Sequence, residues 1–206
     1  MASSSQRGAA RAPPPPEEVT AFFTLIERMA TTVALSRHAR CAELCDRAAK
    51  HAEMLYGDNS LVVADLRVNE VISLRNVAFA STSSPEQEAL LVRAREILSP
   101  VHALLLRRLA DNTLLPGTIN EEEVAYGARV LAFTLKAKEE PVPSEAALQD
   151  LGVVFGYEAL LKAVLITLAM QWESAHSFVL LALDAIPRTA RMQHRLQNEA
   201  ALVGFI

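Results

Sequence analysis

The segment that most constrains this chain is Arg40 to Ala64. There an amphipathic helix, CAELCDRAAKHAEMLY after the arginine, runs into Gly57, and a second helix opens within a few residues. Two helices joined by so short a loop must lie antiparallel. Such hairpins are the unit from which helical-repeat scaffolds are stacked. Composition points the same way: aromatic residues are 5% and glycines number 7, poor material for a β-sandwich, while Ala and Leu, the strongest helix formers, dominate.

Periodicity extends the helical reading along the chain. After the prolines at 13 to 16, Glu17 and Glu18 sit in a first helical turn and Phe22, Phe23, Ile26, Met29, Ala30 and Val33 form its stripe, with an end expected near Leu35. Ser36 is read as the cap of the second helix, whose inward face is Cys41, Cys45, Ala48, Ala52, Leu55 and Tyr56. Gly57 stops it, and Asp58, Asn59 or Ser60 caps the third, which runs from Leu61 to Val77. Ser84, Pro85 and Glu88 fit the start of a fourth helix, expected to bend near Ser99 because of Pro100. Leu114-Leu115-Pro116-Gly117 is a breaker, followed by Thr118 and Glu121 at capping-box spacing. Ser144 caps a segment carrying Gly152 and Gly156, which permit close helix packing or a break. The stretches 157–170 and 173–185 are nearly apolar all round and read as central helices, and Pro187 precedes a last amphipathic segment, 188–201.

These readings define an all-α, irregular antiparallel helical-hairpin bundle of seven to nine helices. A disordered Ser/Ala/Pro-rich tail covers 1–16 and one helical, repeat-like domain covers 17–206. No apolar run reaches the roughly 18 to 20 residues of a spanning helix, and the opening MASSSQRGAARAPPPP lacks the apolar core of a secretory signal. The expectation is a cytoplasmic protein. An acid-free Ser/Ala/Arg start is also what organelle transit peptides look like, and is equally an ordinary tail. The apolar end, Leu202 to Ile206, suggests either a tail folded onto the core or a chain that continues naturally.

Two stretches carry a family resemblance. Ala48, Leu55-Tyr56-Gly57 and Val63-Ala64 resemble the kinesin-light-chain variety of the tetratricopeptide repeat. From Tyr157 to Pro187, Ala163, Ala175, Ala182 and Pro187 follow the small-residue rhythm of the same family, although alanines, Ala159 and Ala163, stand where its large aromatic and its usual glycine would fall. The resemblance implies a scaffold that binds a peptide or a partner protein in a groove between stacked hairpins, with no catalytic residue.

Candidate chemistry is sparse. His38, Cys41 and Cys45 share a helical face, but zinc needs a fourth ligand that is not evident, and two small core thiols explain the cysteines. Ser174, His176 and Ser177 lack a converging base and acid. The glutamates at 121 to 123 and at 139 and 140 lie at helix ends, where the dipole accounts for them as solvated groups. Glycine-rich phosphate loops are missing, so no cofactor, metal or small-molecule substrate is expected. A net charge of -4 gives no reason to expect nucleic acid, and the clusters Arg93, Arg95, Arg107, Arg108 and Arg188, Arg191, His194, Arg195 read as solvated helix faces. The expected function is a non-catalytic protein-protein interaction scaffold within a larger protein or complex. Its partner surface is placed on the groove face of the second and third helices, at Arg40, Arg47, Lys50, Tyr56, Asn69 and Arg75. The alternatives are a helical accessory region of an enzyme whose catalytic domain lies elsewhere and a helical-repeat RNA binder.

Overall fold

A computed structural model describes residues 14–114 and 118–185. Among these residues the chain forms eight α-helices and no strand: α1 (Pro16–Ala34), α2 (His38–Tyr56), α3 (Leu61–Ala80), α4 (Ser84–Ala110), α5 (Glu121–Ala137), α6 (Glu145–Gly152), α7 (Phe155–Ala169) and α8 (His176–Ala185), the last preceded by a single 3-10 turn, Glu173–Ala175. Residues 1–13 of the expected tail, the Pro116-Gly117 breaker, the segment 188–201 with its basic cluster, and the apolar end lie outside the described residues, and Pro16, the last residue of the expected tail, opens α1.

The fold is an all-α bundle built around α3. Leu61, Val62, Leu66, Val68 and Val71 are all inaccessible, and apolar residues surround this helix. It therefore packs against α2, α4 and α7, and more lightly against α5. Its β-branched residues are poor helix formers alone, so burial holds the helix. The expected α2–α3 hairpin is present, with Gly57 at φ +82° as the stop and Ser60 Oγ accepting from Val62 N at 3.1 Å as the cap. One continuous apolar cluster joins residues of α1 to α5, α7 and α8.

Several local readings are corrected. Ser36 does not cap α2; it takes φ +53° and closes α1, its N–H bonded to Val33 O and that of Arg37 to Thr32 O. α4 begins at Ser84 itself, one residue before the expected start, and Ser81 Oγ accepts from Ser83 N at 3.1 Å. α4 runs through Pro100 without interruption, because the ring faces solvent and the carbonyl it strands can be hydrated. Asn120, not Thr118, caps α5, accepting from Glu123 N at 2.8 Å.

The stacking of consecutive hairpins stops after α4. α5 packs against α1, and α7 returns to α3. The ten-residue connection 111–120 buries Leu114 and Ile119, which carries the chain across the end of the bundle. α6 and α7 meet at a 57° bend, and no single helix among the described residues is long and apolar enough to cross a membrane. At this bend Gly152 and Gly156 serve both of their expected purposes: the helix breaks, and a methyl group at either would collide with a backbone carbonyl, of Val124 or of Leu114. α8 is not central. It buries Phe178, Val179 and Ala182 and leaves Leu180 and Leu181 more than half exposed, at 58% and 57%. An apolar sequence cannot report which of its faces finds a neighbour.

Candidate binding groove and buried ion pairs

Four helices turn one stripe each toward a shared cleft of about 650 Å³. Ile26, Met29, Ala30 and Val33 come from α1; Asn69, Ile72, Ser73, Asn76 and Ala80 from α3; Gly127, Val130, Leu131 and Thr134 from α5; and Phe155, Glu158 and Lys162 from α7. The spacings are those of single helix faces. The cleft exists because α5 crosses to α1 while α7 stays on α3, which leaves space between the two pairs. Along α3 it extends from Asn69 to Ala80, about 16 Å at the helical rise. Its lining is mainly apolar, with His38, Lys138 and Lys162 among the polar groups.

Beneath and beside this cleft, α3 carries buried acids that the sequence reading left out. Asp65 is inaccessible; its Oδ1 accepts from Lys162 Nζ at 3.1 Å, and its Oδ2 from the Tyr126 hydroxyl at 3.1 Å and Asn69 Nδ2 at 3.2 Å. Burial, reinforced by the Asp65 charge, pushes the Tyr126 phenol well above its ordinary pKa, which keeps it a donor. Glu70, also inaccessible, is held by Arg67 at 2.9 Å and Arg93 at 3.2 Å. Arg67 further pairs with Asp46 at 2.8 Å and Glu53 at 3.0 Å. Burial alone would lower the Arg67 pKa, but these carboxylates raise it.

Glu123 is the clearest correction. It was read as a solvated helix-end charge and is 1% exposed. Its Oε1 accepts from Leu61 N at 2.9 Å and Arg108 Nη1 at 3.1 Å, and its Oε2 from Arg108 Nη2 at 2.8 Å. A carboxylate from α5 thereby takes a free N–H at the start of α3, where the dipole favours a negative charge. Arg108 also donates to Thr113 O at 2.7 Å and Asn59 O at 3.3 Å, tying three chain junctions together. Arg107 reaches Asn59 Oδ1 at 2.7 Å. Of the expected solvated cluster, Arg108 is drawn into the fold, while Arg93 and Arg107 make their contacts from exposed positions.

The six expected partner residues do not share one surface. Arg40, Arg47 and Lys50 lie in a row on the exposed side of α2, Arg40 paired with Glu43 and Lys50 with Asp46 at 2.7 Å. Arg47 borders a smaller cleft of about 450 Å³ between α2, α3 and α4. Tyr56 is half-buried with its ring edge-on to Phe22 at 5.7 Å. Asn69 lines the large cleft, and Arg75 lies over the Phe79 ring at 4.5 Å. Because α3 is buried over most of its length, Asn69 and Arg75 emerge at different places, the first in the large cleft and the second over Phe79.

Among the described residues no group of three His, Cys, Asp or Glu side chains could hold a metal ion. Cys41 and Cys45 are fully buried free thiols. Ser174, His176 and Ser177 are exposed near the start of α8. The histidine the sequence reading passed over is His102, buried and stacked on Phe178 at 3.7 Å, with Nε2 2.9 Å from Thr167 Oγ1. Thr167 gives its own proton to Ala163 O at 2.6 Å, so its oxygen is left to accept from His102 Nε2–H. Burial pushes the His102 pKa down to about 4.

Fold and site together define an all-α bundle with one large apolar cleft framed by four helices. Compared with known proteins, the chain matches no family model, no curated protein and no solved structure.

Proposed function

We propose that the chain is a non-catalytic protein-interaction module whose cleft seats an amphipathic helix from a partner protein. The observation that carries this reading is the convergence of four helical stripes on an apolar cleft of about 650 Å³ and about 16 Å long. A pocket of this volume is typical of specific ligand sites, and a length of about three helical turns suits the anchors an amphipathic helix presents at i, i+3, i+4 and i+7. The tetratricopeptide-like pattern in α2–α3 supports the same class of function. Against the RNA-binding alternative, Arg108 is largely buried and ion-paired to Glu123, which leaves it poorly placed to neutralise phosphate.

This reading seats the partner in the cleft, which Asn69 of the six expected residues lines. The test is affinity capture with the tagged chain after nuclease treatment, repeated with Val33→Glu and with Arg47→Glu/Lys50→Glu. Val33 is 46% exposed at the cleft, so a charge is tolerated in the free protein. The expected result is a stoichiometric protein partner that is lost at least tenfold with the cleft variant and retained with the charge reversal. Loss with the α2 variant alone returns the site to α2; partners that vanish with nuclease favour the RNA reading.

A further inference from the structure

We infer that Cys41, Cys45 and Met29 form a binding site for a monovalent thiophilic ion, Cu(I), behind the floor of the cleft. Cys41 and Cys45 stand one turn apart on the inner face of α2 with their sulfurs 3.8 Å apart. From α1, Met29 brings its thioether sulfur within 3.2 Å of Cys45 Sγ. Three sulfurs from two helices thus converge in a site where both thiols are inaccessible to water.

Ligand type selects the ion. Thiolate and thioether are soft donors and favour Cu(I) over the harder divalent ions. Sulfurs bonded to one centre at about 2.3 Å in a trigonal plane stand about 4 Å from one another, so the cysteine edge already has nearly the required length. The Met29 edge must open by less than about 1 Å, which a side chain with three rotatable bonds can provide. Zinc suits the site poorly, because it takes four ligands and the described residues offer no fourth of the usual kind.

Binding makes two copper–thiolate bonds and one copper–thioether bond; the thiol protons leave to solvent, and no electron is transferred. The nearby acids Asp65 and Glu70 are each matched by a cation, Lys162 for the first and Arg67 with Arg93 for the second. Met29 and Ser73 also line the cleft, so rotation of Met29 gives an ion a route from solvent to the thiols. None of this depends on a protein occupying the cleft.

The experiment titrates the reduced full-length chain, without oxygen, with Cu(I) held by the chromogenic chelator bicinchoninate. The wild-type chain is expected to withdraw one equivalent, and X-ray absorption of the product to show a shell of sulfur alone. Met29→Leu keeps the apolar volume and is expected to weaken copper binding at least tenfold; Cys41→Ala/Cys45→Ala abolishes it. The inference is overturned if the chelator keeps its copper, if nitrogen ligands appear, or if Met29→Leu binds as tightly as wild type. The cysteine variant counts only when its circular dichroism matches wild type; if it does not, the wild-type absorption spectrum and Met29→Leu decide the matter.

Discussion

Ser36, Asn112, Glu139 and Gln171 adopt φ values of 53°, 54°, 58° and 50°, each just after the end of a helix and none of them a glycine. At each the same pair of bonds closes the helix: at Glu139 its own N–H reaches Lys136 O at 3.1 Å, and the next residue's N–H reaches Leu135 O at 2.9 Å. This is the six-to-one closure that usually employs glycine, because a Cβ in the left-handed region costs about 1–2 kcal/mol. Asparagine tolerates that region; glutamate has no such excuse, and Glu139 is exposed. Replacing it with glycine relieves the strain but adds about 0.5–1 kcal/mol of unfolded-state entropy. The net expectation for Glu139→Gly is a stabilisation of about 0.5–1 kcal/mol, read as a rise of about 2 °C in Tm. An unchanged or lower Tm would show that the glutamate side chain contributes more there than its backbone costs. The ends near Leu35 and Met170 were legible from periodicity, but their left-handed closure was not, because the residue that normally marks it is absent. Gly57, where the usual marker is present, was legible as a stop.

Between elements, the hidden acids decide how helices meet. Ser144 could be identified as a cap, and the α3 cap narrowed to Asp58, Asn59 or Ser60, because capping is local, the cap and its N–H lying within three residues. Glu123 could not, since its partners Arg108 and Leu61 are 15 and 62 residues away and an acidic run at a helix start looks the same whether solvated or buried. The crossing of α5 to α1 escaped the sequence reading for a related reason: a stripe shows that a helix has an inward face, and not which helix it meets. Arg108→Met tests the junction. It removes a cation and leaves Glu123 buried without its ion pair, and breaking a buried pair from one side costs about 3–5 kcal/mol. Chemical denaturation should show a loss of that size, and Arg108→Met/Glu123→Gln should recover part of it, because no unpaired charge then remains. A loss under about 1 kcal/mol for the single variant would mean that the pair is hydrated in solution, as surface pairs are.

Across the whole molecule, His102 links the last helices to the first four. From α4 it reaches Thr167 on α7, stacks on Phe178 of α8 and lies 5.3 Å from the Trp172 ring between them. It is neutral in the folded state, where burial holds its pKa near 4, and takes up a proton near pH 6.5 when the chain unfolds. Between those values the unfolded state binds more protons, so stability rises with pH through the window. The contribution is fully present above about pH 6.5 and is lost as pH falls toward 4. At pH 5 the loss amounts to about 2 kcal/mol, in a range where most carboxylates have yet to titrate. His102→Gln can keep a donor to Thr167 but cannot titrate. Urea denaturation at pH 7.5 and pH 5 should therefore show wild type losing about 2 kcal/mol more than the variant between the two conditions. Equal losses would mean that the imidazole is protonated in place, with water reaching it between α4 and α8. The docking of α8, which leaves three leucines exposed and contacts α4 chiefly near this stack, would then be looser than its packing implies.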